Sequence, residues 1–161
     1  MTDYSALTAD QWDNIYKNRQ RWIHALRCGG YEQTIGRLCK LDQNSLEPIG
    51  YCCLGVYVDT NHAEYWTQRY QDGDDRMIRE VTLPDCSNQS AYSLVKPLRE
   101  ELAMSSDFMQ CLVSMNDGRY SFAQIAELLE SINGVWGTAQ MQAVTRYVVH
   151  NRPAEPTVRT V

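Results

Sequence analysis

The chain has 161 residues, enough for one domain that buries a sizeable core without disulfide or metal staples. Its 20 acidic and 15 basic residues give a net charge of −5, which argues against a nucleic-acid backbone as partner. No apolar run reaches about 18 residues and no basic-then-apolar leader opens the chain, so neither a membrane span nor a secretory signal is expected; the six cysteines are expected as reduced thiols in the cytoplasm.

The first predicted element is a helix starting after Thr8. "TADQ" is a capping box, with Thr8 as N-cap and Gln11 three positions on. Trp12, Ile15, Tyr16, Trp22, Ile23 and Leu26 recur at helical spacing, with Arg19 on the same stripe. Gly29-Gly30 should end it. Residues 31–50 carry Gly36 and an Asn44-Ser45 turn and suggest short strands or an irregular hairpin. The run Cys52, Cys53, Leu54, Val56, Tyr57, Val58 is a buried element whose period does not choose between strand and helix. Residues 67–80 are polar and read as a loop, and "VTLPD" suggests a short strand before Pro84. Acid concentrates in this middle region, around Asp72–Asp75 and Glu100-Glu101, as a solvated loop and helix face would.

Residues 90–104 follow a helical pattern that Pro97 must break or restart. Phe108, Cys111, Leu112 and Met115 mark a further short helix, closed by "NDG" at Asn116–Gly118, residue types that tolerate the left-handed conformation. Ser121 and Gln124 form a second capping box, followed by the apolar face Phe122, Ile125, Ala126, Leu129, Ile132. A last helix is expected over 138–150. The expected whole is a helix-rich α+β domain over residues 1–150 with a few short strands, and an extended tail at 151–161. The N-terminal helix and the 121–132 helix are expected to pack over residues 51–58.

Several groupings invite chemistry. Zinc needs two close Cys/His pairs, but Cys52 and Cys53 are adjacent and Cys28, Cys39, Cys86, Cys111, His24, His62 and His150 are scattered, so no metal and no cofactor is expected. Cys52 or Cys53 at a helix N-terminus would be an activated thiolate if His62 or His150 came near as base, with Asn116 or Asp117 orienting it. Packing as small buried hydrophobes is the plainer reading of both thiols. The two C-terminal helices look like a helix-turn-helix, yet the second carries only Arg146 among its exposed polar residues Gln140, Gln142 and Thr145.

Four stretches together resemble a family of small, uncharacterised proteins encoded by bacteriophages and prophages: "RWIHALRCGGYEQTIGRL" (21–38), "YCCLGVYVD" (51–59), "LPD" (83–85) and "MNDGRYSFAQIAELLE" (115–130). The resemblance spans most of residues 19–132 and is most specific at the central Y-C-C-L-G-V. Three departures stand out: Cys28 replaces a family serine, the spacing after Asn116-Asp117 is one residue shorter, and the tail beyond Gly134 is extra. The resemblance implies a phage origin and an intracellular role during infection, and it brings no active site. Small phage accessory proteins often counter host defences, by capturing a nucleotide immune signal or by binding a defence protein. A host nucleotide signal or a host defence protein is therefore the expected partner.

Within the resembling motifs, core packing accounts for Trp22, Leu26, Leu54, Phe122 and Ile125. It accounts poorly for Gln33, Arg37 and Asn116, which with the other polar or aromatic motif residues Tyr31, Tyr51 and Asp117 form the candidate ligand-binding set. Arginine can fork onto a phosphate, tyrosine can stack on a base, and an amide can read its edge. The alternative is that these residues cap turns and tie the loop after Gly30 to the "NDG" turn.

Overall fold

The Thr8 capping box forms as its sequence dictates. Gln11 N–H donates to Thr8 Oγ1 at 3.1 Å, and Thr8 N–H donates to Gln11 Oε1 at 2.8 Å. Helix α1 then runs Ala9–Cys28. The computed structural model describes residues 3–71, 73, 75–85 and 88–153. The α1 stripe buries Ile15, Trp22, Ile23, Ala25 and Leu26, and also Arg19, which is only 3% exposed. The Arg19 Nε and Nη2 both donate to the Leu102 carbonyl, and the guanidinium lies 3.8 Å from the Trp136 ring centroid. Removal from water lowers its pKa to about 10, so it stays charged at neutral pH.

The expected irregular hairpin is present as β1 (Cys39–Leu41) and β2 (Pro48–Tyr51), antiparallel with a register shift after Lys40. Asp42 Oδ1 accepts the N–H groups of Asn44 and Ser45 and so sets the turn. The double-cysteine segment is a helix, α2 (Cys53–Asn61), with every residue from Cys53 to Val58 buried. Gly55 makes that burial possible. A Cβ there would lie 1.8 Å from the Leu38 carbonyl oxygen, so the helix rests directly on the backbone entering β1.

The polar stretch 67–80 is not a loop. It holds most of β3 (Trp66–Tyr70) and β4 (Met77–Thr82), which pair antiparallel; β5 (Gln89–Ser90) adds on β4 to give the order β3-β4-β5. The strand pattern is hidden because β3 is an edge strand, largely exposed. Cross-strand pairing holds it instead of burial: Arg69 Nε donates to Glu80 Oε1 at 2.9 Å, and Thr67 bonds Thr82 at 2.8 Å.

The helix expected over 90–104 is also corrected. Only α3 (Lys96–Glu100) forms, with Pro97 in its first turn. Proline has no N–H to bond back to an earlier turn and suits a helix's first turn, and Val95 before α3 is extended, so residues 91–95 stay outside the helix. Helices α4 (Ser106–Asp117), α5 (Phe122–Ser131) and α6 (Met141–His150) follow, α6 after a single 3₁₀ turn at Thr138–Gln140. The left-handed residue of the "NDG" turn is Arg119 (φ 74°), not Asn116 or Gly118. Gly118 serves close approach instead, since a Cβ there would meet Ser114 O at 2.9 Å.

Helix α1 packs on α2 and α5, and α4 packs on α2, α5 and α6. The expectation that α5 covers α2 is thus corrected: the chief partners of α2 are α1 and α4. Trp22 sits at the centre, fully buried and edge-on to Tyr57 and Trp136, while Phe108 stacks on Trp136 at 5.7 Å. Both indoles are satisfied, Trp22 Nε1 donating to Cys53 O and Trp136 Nε1 to Ile132 O. The result is a helix-rich α+β domain. Among the described residues the cysteines are free thiols, and no helix is long and apolar enough to cross a membrane. Of the tail expected at 151–161, Asn151 closes α6 and residues 154–161 lie outside the described residues.

Candidate functional site

The start of α2 needs acceptors for its first N–H groups, and Cys52 at the N-cap makes no side-chain capping bond. Asn116, at the end of α4, supplies one. Its Oδ1 accepts Cys53 N–H at 3.1 Å and Gln33 Nε2 at 2.9 Å, and its Nδ2 donates to Thr34 O at 2.8 Å. Asn116 is 1% exposed, so one amide joins α2, α4 and the 33–34 segment inside the protein. Gln33 also donates to Tyr120 O at 2.8 Å, and Gly36 N–H donates to Asp117 Oδ1 at 3.2 Å. Gln33, Asn116 and Asp117 therefore tie the loop after Gly30 to the "NDG" turn.

A cleft of about 310 Å³ opens over this junction, at the low end of ligand-sized pockets. It brings together three of the six candidates, Arg37, Asn116 and Asp117, with Cys52, Tyr92, Ser93 and Gln110. Arg37 donates to Gln71 Oε1 at 3.0 Å, and its guanidinium stands 5.8 Å from the Tyr92 ring centroid. The Tyr92 side of the cleft faces solvent, Tyr92 being 53% exposed.

Tyr31 and Tyr51 do not line this cleft. They meet edge-on at 5.0 Å in a separate cluster. Asp59 accepts from Tyr31 Oη at 2.8 Å and from Trp66 Nε1 at 3.1 Å. Arg79 lies 4.6 Å from the Trp66 ring and donates to Tyr51 Oη and Cys39 Sγ. Burial, with the Cys39 and Asp59 charges behind it, pushes the Tyr51 hydroxyl up to about 12, so it is neutral at physiological pH.

Neither Cys52 nor Cys53 has the lowered pKa of an activated thiolate. Burial pushes Cys52 up to about 11 although the Gly55 and Leu54 N–H groups oppose it, and burial also pushes Cys53 well above the ordinary thiol value. His62 caps the opposite end of α2, roughly 13 Å along the helix axis at 1.5 Å per residue. It is engaged there: its Nε2 meets Glu101 Oε1 at 2.6 Å, and Tyr57 Oη donates to the same oxygen at 2.6 Å. No cluster of three or more His, Cys, Asp or Glu among the described residues could hold a metal.

A family described as a domain of unknown function, DUF8296, matches residues 16–133. The chain belongs to this family. No curated protein and no solved structure matches it. The DUF8296 stretch contains all six candidate residues and both walls of the Arg37 cleft, and leaves α6 outside. A larger cleft of about 680 Å³ lies between α3, the start of α4 and residues 135–140. It contains none of the six, part of it falls beyond the DUF8296 stretch, and Ser105 in its wall is used in capping α4. Within the DUF8296 cleft, sequence reasoning missed Tyr92, Ser93 and Gln110. The available signal was Pro97, which marks a helix start that leaves Tyr92 outside the helix.

Proposed function

We propose that the protein is a phage or prophage accessory protein, acting in the host cytoplasm by binding, and that it captures a host nucleotide signal in the cleft over the start of α2. The observation that supports this reading is the pairing of Arg37 with the exposed Tyr92 ring at the mouth of one cleft. A half-exposed aromatic offers a face on which a base can stack, and a guanidinium whose recorded partner is a neutral amide keeps donors for an anion. Gln110 and Asp117 add polar atoms that can read the edge of a base. The sequence resemblance supplies the infection setting, and counter-defence is the role that fits it.

The test is a thermal-shift series with cyclic dinucleotides and ADP-ribose-derived signals. The expected result is a raised Tm with at least one, lost in Tyr92→Ala. No shift with any of them overturns the ligand reading.

A second reading, a protein-binding inhibitor, is favoured by Ile35 and Ile49, exposed at 50% and 56%. They flank the contact between Thr34 and Gly50. A pull-down from infected host lysate tests it: a specific host protein that Ile35→Asp with Ile49→Asp releases supports this reading, and no retained protein removes it.

A further inference from the structure

A second crevice adjoins the Arg37 cleft. It lies between β1 and β4, measures about 190 Å³, and shares Arg37 with the first. Lys40 and Arg76 line it beside Arg37, and no carboxylate is among its described lining residues.

Its walls are held by bonds that need no ligand. Gln43 Oε1 accepts Met77 N–H at 2.9 Å, while its Nε2 donates to Met77 O at 3.0 Å and Leu41 O at 3.3 Å. Arg79 Nη1 joins β4 to β1 and β2 through Cys39 Sγ at 3.6 Å and Tyr51 Oη at 3.2 Å. A site already formed loses little ordering entropy on binding.

Among the described residues, two of the lining cations meet no carboxylate: Arg37 and Lys40. Arg37 carries five N–H donors, and its recorded bond goes to the neutral Gln71 side chain. Lys40 is exposed and makes no ion pair among the described residues. Guanidinium gives a fork for two phosphate oxygens and ammonium a compact point charge, the complementary pair for a terminal phosphate.

We propose that the β1–β4 crevice is a phosphate subsite and that the ligand of the adjoining cleft is a nucleoside phosphate, its base toward Tyr92 and its phosphate between Arg37 and Lys40. This rests on the ligand-binding reading above and adds the chemical class. A nucleoside alone fills one half of the site, and inorganic phosphate the other.

The test is titration calorimetry on the full chain with adenosine, AMP, ADP, the matching guanosine series and inorganic phosphate, at low and high salt. Affinity is expected to rise about tenfold or more from nucleoside to diphosphate and to fall with salt. Lys40→Gln, at an exposed position that leaves folding intact, is expected to weaken the diphosphate about tenfold and leave the nucleoside unchanged. Tyr92→Ala is expected to weaken both. A diphosphate that binds no tighter than its nucleoside, or is indifferent to Lys40→Gln, overturns the subsite while leaving the cleft reading intact. Failure of every one of these compounds and of the cyclic dinucleotides to bind overturns both.

Discussion

Around Trp22 the contacts are apolar and enclosed; around Arg79 they are polar and half open. Trp22, Tyr57, Phe108 and Trp136 bury their rings against α1, α2 and α4, and each indole N–H finds a carbonyl. Arg79, Tyr51, Cys39 and Trp66 instead join the two sheets through hydrogen bonds and a cation over a ring. Burial of rings of this size stabilises by about 2 kcal/mol or more each, whereas partly exposed polar pairs contribute about 1 kcal/mol or less. The helical part supplies the rigidity, and the sheet part supplies the open polar surface. The Arg37 cleft lies on the seam, walled by α4 on one side and the 36–37 segment on the other.

The largest expected effect breaks the helical side. Gly55→Ala forces α2 off the Leu38 carbonyl, and a loss of about 3 kcal/mol or more in urea unfolding is expected. Stability within about 0.5 kcal/mol of wild type would show that α2 can shift without cost. Asn116→Ala is expected next, at about 2–3 kcal/mol in the same measurement, because it leaves Cys53 N–H and Thr34 O without their buried partner.

The sheet side should yield less. Arg69→Ala leaves the Glu80 carboxylate, with a side chain 7% exposed, without its ion pair. About 1–2 kcal/mol is expected, with the far-ultraviolet helical signal preserved; loss of that signal would mean that the sheets govern the core.

The smallest expected effect is a pH dependence at the end of α2. The bond to Glu101 holds the His62 pKa above its ordinary value, although burial opposes it. The proton therefore adds stability below the unfolded value of about 6.5, and this is lost as pH rises through the raised folded value. Stability of wild type relative to His62→Gln, measured from about pH 5.5 upward, should narrow over that window. A constant difference would mean that His62 acts through packing on Tyr65, 4.7 Å away, rather than through its charge.

Much of the helical part was legible because its signals are local. Thr8 with Gln11 and Ser121 with Gln124 are capping boxes in the sequence and in the structure. The run after Cys52 was correctly read as buried, but only its place against Leu38 makes it a helix on a strand entrance. Of the sheet at 66–82 only the end of β4, in "VTLPD", is legible in sequence, because the edge strand β3 is polar and is held by partners across a turn. For the same reason sequence named Arg37 but not Tyr92: the two belong to different stretches that only the folded chain brings together. Tyr31 and Tyr51 carry chemistry in the sequence and are absorbed, in the structure, into the cluster around Asp59 and Arg79.

The three bonds of the Asn116 side chain reach residues 33, 34 and 53, across 83, 82 and 63 positions of the chain. During synthesis, then, α2 emerges long before the amide that closes its first turn. The floor of the cleft waits for the same residue. A nascent chain shorter than 116 residues has α2 without its cap and the Arg37 segment without an opposite wall. Capacity to bind in this cleft arrives late and all at once, as a property of the assembled domain rather than of any segment within it.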